Sequence, residues 1–183
     1  MWSGMTVKEV NKETWPDLEK LFESKGGPKY CWCMAWRASG EEVKHTDGES
    51  RKAYLKARVD AGIPVGILAC QNDEPVAWCS VAPKETYRKL DDLRQNDNDE
   101  KIWSIVCFYI KRELRGTKLI HFLIQSAIKY ASRNKATIIE AYPVDHDSPS
   151  YRFMGFVPVF QQYHFVETGR AGSRRHVMRL KLN

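Results

Sequence analysis

The spacing of apolar positions divides the chain into short elements. Met5–Val10 predicts a first strand, and Thr14-Trp-Pro-Asp17 reads as a helix start, with a hydroxyl, an early proline and an acid in the first turn. Leu18, Leu21 and Phe22 give that helix its buried stripe, and Gly26-Gly27-Pro28 is expected to end it. Thr46-Asp-Gly-Glu49 has capping-box spacing ahead of a second helix, Ser50–Ala61, which Gly62 stops. Two apolar runs, Pro64–Cys70 and Pro75–Val81, flank Gln71-Asn-Asp-Glu74 and predict a hairpin. Lys84–Leu93 reads as a short helix or loop, and Gln95–Glu100 as a polar turn. Ile102–Ile110 is apolar almost throughout, as in a central strand covered on both faces. Leu119, Ile120, Leu123, Ile124, Ala127, Ile128 and Ala131 then recur at helical spacing. Thr137–Val144 is expected to be a strand, Ser148–Met154 a helical turn, and Phe156–Val166 and His176–Leu182 two closing strands. Strand–helix–strand in the middle, flanked by hairpins, predicts an α/β protein with a mixed, mostly antiparallel central sheet and helices on both faces.

Composition narrows the picture. The 183 residues suit one domain over 5–183, and residues 1–4 are left as an alternative start or a cloning remnant. No apolar run approaches the roughly 20 residues that cross a bilayer, and Met1–Met5 lacks the layout of a secretory signal, so no membrane partner is expected. The five cysteines are odd in number, and three lie in apolar runs, which points to free thiols and a cytoplasmic protein. Net charge is +6. Apart from Arg170–Arg175 the basic residues are interspersed with acids, so nucleic-acid binding is not expected. The surplus reads as solvated surface or as attraction for a polyanionic ligand.

Two segments carry candidate chemistry. In Tyr109–Lys118 a buried strand turns into a helix through Arg115-Gly116. Unpaired amides at a helix start form an anion site, and Arg115, Thr117 and Lys118 add charge and a hydroxyl. The same residues also fit a plain turn with solvated cations. The second segment is Tyr151-Arg-Phe-Met-Gly155-Phe156. Tyr151 reads as a core plug or a functional phenol, and Gly155-Phe156 as a helix stop followed by a core residue. Cys31-x-Cys33 has no second cysteine pair to complete a zinc site, and no histidine is tied to it. No metal is therefore expected, and Tyr30–Arg37 reads as a packed aromatic lid.

Together these segments resemble the GNAT acetyltransferase superfamily, whose acyl-CoA loop follows the central strand as Arg-x-x-Gly-x-Gly/Ala. A Tyr followed four residues on by Gly-Phe is its second mark. The resemblance spans most of Met5–Leu182. It is sharper for a bacterial subgroup with a Cys-Trp-Cys-Met segment, through Trp78–Pro83, Trp103–Phe108 and Glu140–Val144. Lys118 and Ile120 stand where small residues are usual. The resemblance implies a GNAT-type fold and acetyl-CoA as donor. It implies direct attack by a primary amine of a small molecule or protein in a ternary complex; the alternative is a non-catalytic acyl-CoA-binding module. Phe108, Tyr109 and Ile110 would pair with the pantetheine arm, and Arg115, Gly116, Thr117 and Lys118 would hold the phosphates. Tyr151 would protonate the leaving thiolate, since a phenol with reference pKa about 10 is protonated at neutral pH. A Lys-like amine costs roughly 4.6 kcal/mol to deprotonate at pH 7, so a base is needed. Glu140 is the candidate, although strand alternation equally points it away. Trp32 and Trp36 would face the acceptor, and a homodimer fits the family.

Overall fold

A computed structural model describes residue 2 and residues 4–93 and 100–183, so Gln95–Asp99 of the expected polar turn lie outside the described residues. Among the described residues, seven strands form one sheet: β1 Met5–Glu9, β2 Ile67–Gln71, β3 Glu74–Pro83, β4 Ile102–Ile110, β5 Ile138–Ala141, β6 Val166–Ala171 and β7 Arg175–Lys181. Their order is β1-β2-β3-β4-β5-β7-β6. Only β4 and β5 run parallel; every other neighbouring pair is antiparallel. Four α-helices among the described residues pack with the sheet: α1 Trp15–Glu23, α2 Gly48–Asp60, α3 Leu119–Arg133 and α4 Val157–Gln161.

Alternation along β2 shows how the layers form. Ile67 and Ala69 pack with Leu119, Leu123, Ile124 and Ala127 of α3 on one face. Leu68 and Cys70 pack with Leu18, Leu21 and Phe22 of α1 and Leu55 and Val59 of α2 on the other. Successive strand side chains point to opposite faces, so a run covered on both sides must be apolar at every position. The fold is thus the mixed sheet with helices on both faces that the sequence predicts. The β2–β3 hairpin turns on Asn72 and Asp73, both left-handed (φ 50° and 66°), as a two-residue turn requires.

Three local expectations fail. α2 is capped by Asp47, whose carboxylate accepts the Ser50 N–H at 2.7 Å, and not by Thr46. β5 is four residues long and ends before Tyr142-Pro143. Phe156–Val166 is not a strand. Pro158 sits in the first turn of α4, where its missing N–H costs nothing, and Phe160 packs into the α3-side core against Phe108 and Phe165. The strand that pairs with β7 begins at Val166, and its largely exposed, polar residues carry no apolar signal.

Candidate active site

The end of β4 creates the cleft. β3 pairs with β4 along its length, from Ala77 opposite Ile110 to Pro83 opposite Trp103, with a register shift between Ser80 and Val81. β5 pairs with β4 only from Ile102 to Ile105. Past Ile105 the two parallel strands part, because β5 ends at Ala141 while β4 runs on. Among the described residues, Val106–Ile110 have no strand on that edge. The gap is walled on one side by Phe108, Tyr109, Ile110, Arg115, Gly116 and Ile120, and on the other by Arg152, Phe153, Gly155, Phe156 and Val159. Its volume is about 730 Å³.

The loop into α3 begins with a 3-10 turn, Arg112–Leu114. Arg115 Nε donates to the Ile110 carbonyl at 3.0 Å, which anchors the loop to the end of β4. Gly116 is left-handed (φ 83°) with open space where a Cβ would stand, so backbone conformation and not crowding selects glycine there. Lys118 is also left-handed (φ 63°) and occupies the N-cap of α3 without a side-chain cap bond. The first turn of α3 holds no acid, so its amides and the positive end of its dipole are not neutralised by its own side chains. Thr117 Oγ1 donates to the Leu114 carbonyl at 2.7 Å. Of the seven residues expected to bind a donor, Phe108, Tyr109, Ile110, Arg115 and Gly116 line the cleft; Thr117 and Lys118 belong to the loop but not to the lining.

Tyr151 directly precedes the wall residues Arg152 and Phe153, without itself lining either cavity, and is the left-handed residue (φ 59°) opening the 3-10 turn Arg152–Met154. It is 36% exposed, and its ring neighbours are Trp36 at 6.3 Å and Phe153 at 6.3 Å. Arg175 lies over three rings at once, with its guanidinium carbon 4.6 Å from Trp36, 5.4 Å from Tyr151 and 5.8 Å from Tyr142. Burial lowers the Arg175 pKa against the opposing pull of Tyr151 and Tyr142. The guanidinium thereby ties the Trp36 loop to Tyr151. Residue patterning gave no sign of this role, nor of Arg152, Phe153 and Phe156 as cleft walls. Phe156 is half-buried and lines the cleft, so it is not the core residue expected after Gly155.

A second, apolar pocket of about 380 Å³ meets the cleft at Phe108, Tyr109 and Phe153. Pro28, Cys31, Cys33, Ala35, Trp36, Ser80, Val106 and Cys107 complete its walls. Trp36 thus lines this pocket. Trp32 does not: it is 2% exposed and packs between Trp15 and Phe22, with ring centroids at 5.8 and 5.1 Å. Both Trp32 and Cys33 are left-handed (φ 44° and 55°), and that bend breaks the local alternation that would have set the two indoles on one side.

Glu140 is also turned away from both cavities. Its side chain is fully buried and ion-paired to Lys84 Nζ at 2.8 Å and Arg179 Nε at 2.6 Å, and it accepts the Tyr142 hydroxyl. The same hydroxyl lies 2.9 Å from Asp91, so its one proton is shared between the two carboxylates, and Lys84 bridges Asp91 at 2.7 Å. Burial is the first force raising the Tyr142 phenol, followed by the Glu140 charge. Asp91 ends lowered: burial raises it, but Lys84 and its other donors outweigh that. A carboxylate bonded in this way is a structural counterion, and this corrects the expectation that Glu140 faces an acceptor amine.

The basic run Arg170–Arg175 forms the β6–β7 turn region. Arg170 bonds His176, Arg174 bonds Ser150 and Arg175 bonds the Leu90 carbonyl, so the run is divided among local contacts. Among the described residues no group of three or more His, Cys, Asp or Glu is placed to hold a metal ion. No described helix is long and apolar enough to cross a membrane.

Solved structures share this fold at low identity. The yncA protein of Salmonella typhimurium, whose structure holds acetyl-CoA as its cofactor, superposes with TM-score 0.58 and 16% identity, covering 99% of this chain and 95% of its own. The ribosomal-protein-alanine N-acetyltransferase of Brucella melitensis gives TM-score 0.57 and 16% identity over 97% and 99%. The paia N-acetyltransferase of Thermoplasma acidophilum, in complex with coenzyme A, gives 0.55 and 14% over 97% and 99%. No curated protein matches at the level of sequence. The model of the Acetyltransferase (GNAT) family matches residues 11–156, which run from the start of α1 through β4, the Arg115-Gly116 loop, α3 and Tyr151 to Phe156. The chain belongs to the GNAT acetyltransferase family.

Proposed function

We propose that this protein transfers the acetyl group of acetyl-CoA to a primary amine of a small molecule or protein, by direct attack within a ternary complex. The observation that carries the reading is the parting of β4 from β5 after Ile105, which leaves the backbone of Val106–Ile110 without a strand partner on one edge. An extended ligand with amide groups adds to such an edge as a strand would. The pantetheine arm of the donor has that character. Its phosphates then fall toward Arg115, Gly116 and the uncapped start of α3, with Thr117 and Lys118 adding charge and polarity at the rim. The acceptor enters the apolar pocket beside Trp36, which meets the donor cleft at Phe108 and Tyr109. Apolar walls favour the neutral form of an amine over the ammonium. Tyr151, set beside Trp36 and Arg175, protonates the departing coenzyme A thiolate.

A second reading, acyl-CoA binding without transfer, is favoured by Ile120 lining the cleft and Lys118 occupying a left-handed position in the loop. Calorimetry with acetyl-CoA followed by release of free coenzyme A thiol across an amine panel separates the two. Saturable binding with amine-dependent thiol release supports transfer. Binding without release under any amine favours the module, and absence of binding at millimolar donor removes both.

A further inference from the structure

The acceptor pocket has no carboxylate or histidine in its walls. Glu140 is consumed by Lys84 and Arg179. The chemistry nevertheless requires a proton acceptor, and the pocket holds an unusual group in its place. Arg37 is 2% exposed, yet among the described residues no carboxylate lies within ion-pairing distance of it. Its guanidinium donates to the carbonyls of Cys33 (2.9 Å) and Val65 (2.6 Å), to Ser80 Oγ (2.9 Å) and to the Tyr87 hydroxyl (3.1 Å), and it stacks on the Tyr87 ring. A buried cation calls for an anion nearby.

Cys33 supplies one. It is 6% exposed and lines the pocket. Its sulfur accepts the indole N–H of Trp78 at 3.2 Å, and an indole can only donate. The titratable and polar neighbours facing it are Cys31 on its own segment, Cys107 from β4, Trp78, Cys79 and Ser80 from β3, and Arg37 and Tyr87. Cys107 donates to it, and with the Arg37 charge, Trp78 and Ser80 this outweighs burial, so the Cys33 thiol is lowered to about 6. Cys107 is raised because it is the donor in that bond, and burial, then the Cys33 charge, raises Cys31 to about 11. Cys33 also sits in a left-handed pair with Trp32, a strained backbone of the kind that collects at functional sites.

We propose that Cys33, held as a thiolate by Cys107, Trp78 and Arg37, takes the proton from the acceptor amine as that amine attacks the thioester. The inference rests on the transfer reading above. The C–N bond forms as the C–S bond of the donor breaks; the nitrogen loses one proton to Cys33, and the coenzyme A thiolate gains one from Tyr151. Proton exchange with solvent restores the Cys33 thiolate and the Tyr151 phenol, and the net products are the acetamide and coenzyme A.

The test has one arm independent of turnover. Ultraviolet absorbance of thiolate against pH is expected to show one group titrating near pH 6 in the wild-type protein and none there in Cys33→Ser. No thiolate near that pH overturns the proposal. In kinetics, Cys33→Ser is expected to lose about 10²–10⁴ in turnover and the acid limb of the kcat/KM profile, with acetyl-CoA affinity unchanged by calorimetry. Cys107→Ala, which removes the principal donor to Cys33, is expected to move that limb to higher pH and keep turnover on the alkaline side. Wild-type turnover and an unmoved profile in Cys33→Ser sink the proposal while leaving the transfer reading intact. A hydroxylamine-labile acetyl adduct on Cys33 also overturns it, since the thiol would then carry the acyl group. Loss of acetyl-CoA binding in the wild-type protein overturns the transfer reading instead, and the absorbance titration still stands.

Discussion

Replacing Glu140 with Gln removes a charge while keeping side-chain volume, and so separates a structural carboxylate from a catalytic one. In the folded protein this side chain is fully buried and answers two cations, Lys84 and Arg179, whose side chains are only 14% and 15% exposed. Breaking a buried pair from one side costs 3–5 kcal/mol because a charge is left without a partner. Lys84 keeps Asp91 at 2.7 Å, so the stranded group is chiefly Arg179, whose Nη2 already lacks a partner. The loss is therefore expected at the low end, about 3 kcal/mol. Unfolding entropy of about 2.1 cal/mol/K per residue over 183 residues is about 0.38 kcal/mol/K, so the melting temperature falls by about 8 °C. Thermal melting by circular dichroism measures the shift. Turnover measured well below both transitions is expected to stay within about twofold of wild type, since neither cavity meets the side chain. An unchanged melting temperature with turnover down by a hundredfold or more would refute the assignment and return Glu140 to the role of base.

Other perturbations separate neighbouring roles. Trp32→Ala is expected to cost about 3–5 kcal/mol of stability, read by denaturant melts, because the indole fills the core between Trp15 and Phe22. Trp36→Ala is expected to raise the acceptor KM with a much smaller stability loss; equal destabilisation by both would contradict their different placement. Tyr151→Phe should lower kcat by about 10²–10⁴ with donor affinity held, and wild-type turnover in that variant would remove the acid role. The Cys33 thiol is lowered from 9.0 to about 6, first through the hydrogen bond from Cys107 and next through Arg37, working against burial. Folding thus favours its anion, and this stabilisation is complete above pH 9 and lost as pH falls through about 6. Urea midpoints of wild type and Cys33→Ser should diverge as pH rises across that window, and a constant gap would refute the thiolate.

Much of the fold was legible because burial on both faces leaves an unbroken apolar run, as in β4, and one-sided burial leaves a helical stripe, as in α3. The same logic hid other features. All four residues of β5 are buried, so alternation could not say which way Glu140 points. β6 is an edge strand with mostly exposed polar residues and gave no strand pattern, while the β-branched Val157 and Val159 of α4 imitated one. Five of the seven residues expected to bind a donor line the cleft, because a strand end and the turn after it are local features that a sequence shows. Arg37 and Arg175 were missed because their partners are carbonyls, hydroxyls and rings brought from distant elements. The separation of Trp32 from Trp36 depends on two left-handed residues for which neither tryptophan nor cysteine is an indicator.

The central claim is that the free edge of β4 receives the donor, and amide hydrogen exchange with and without acetyl-CoA tests it most directly. The account predicts slowed exchange confined to Val106–Ile110 and to the loop and first turn at Gly116–Ile120, saturating with the calorimetric affinity. Saturable binding that leaves Val106–Ile110 exchanging at the unliganded rate would contradict it.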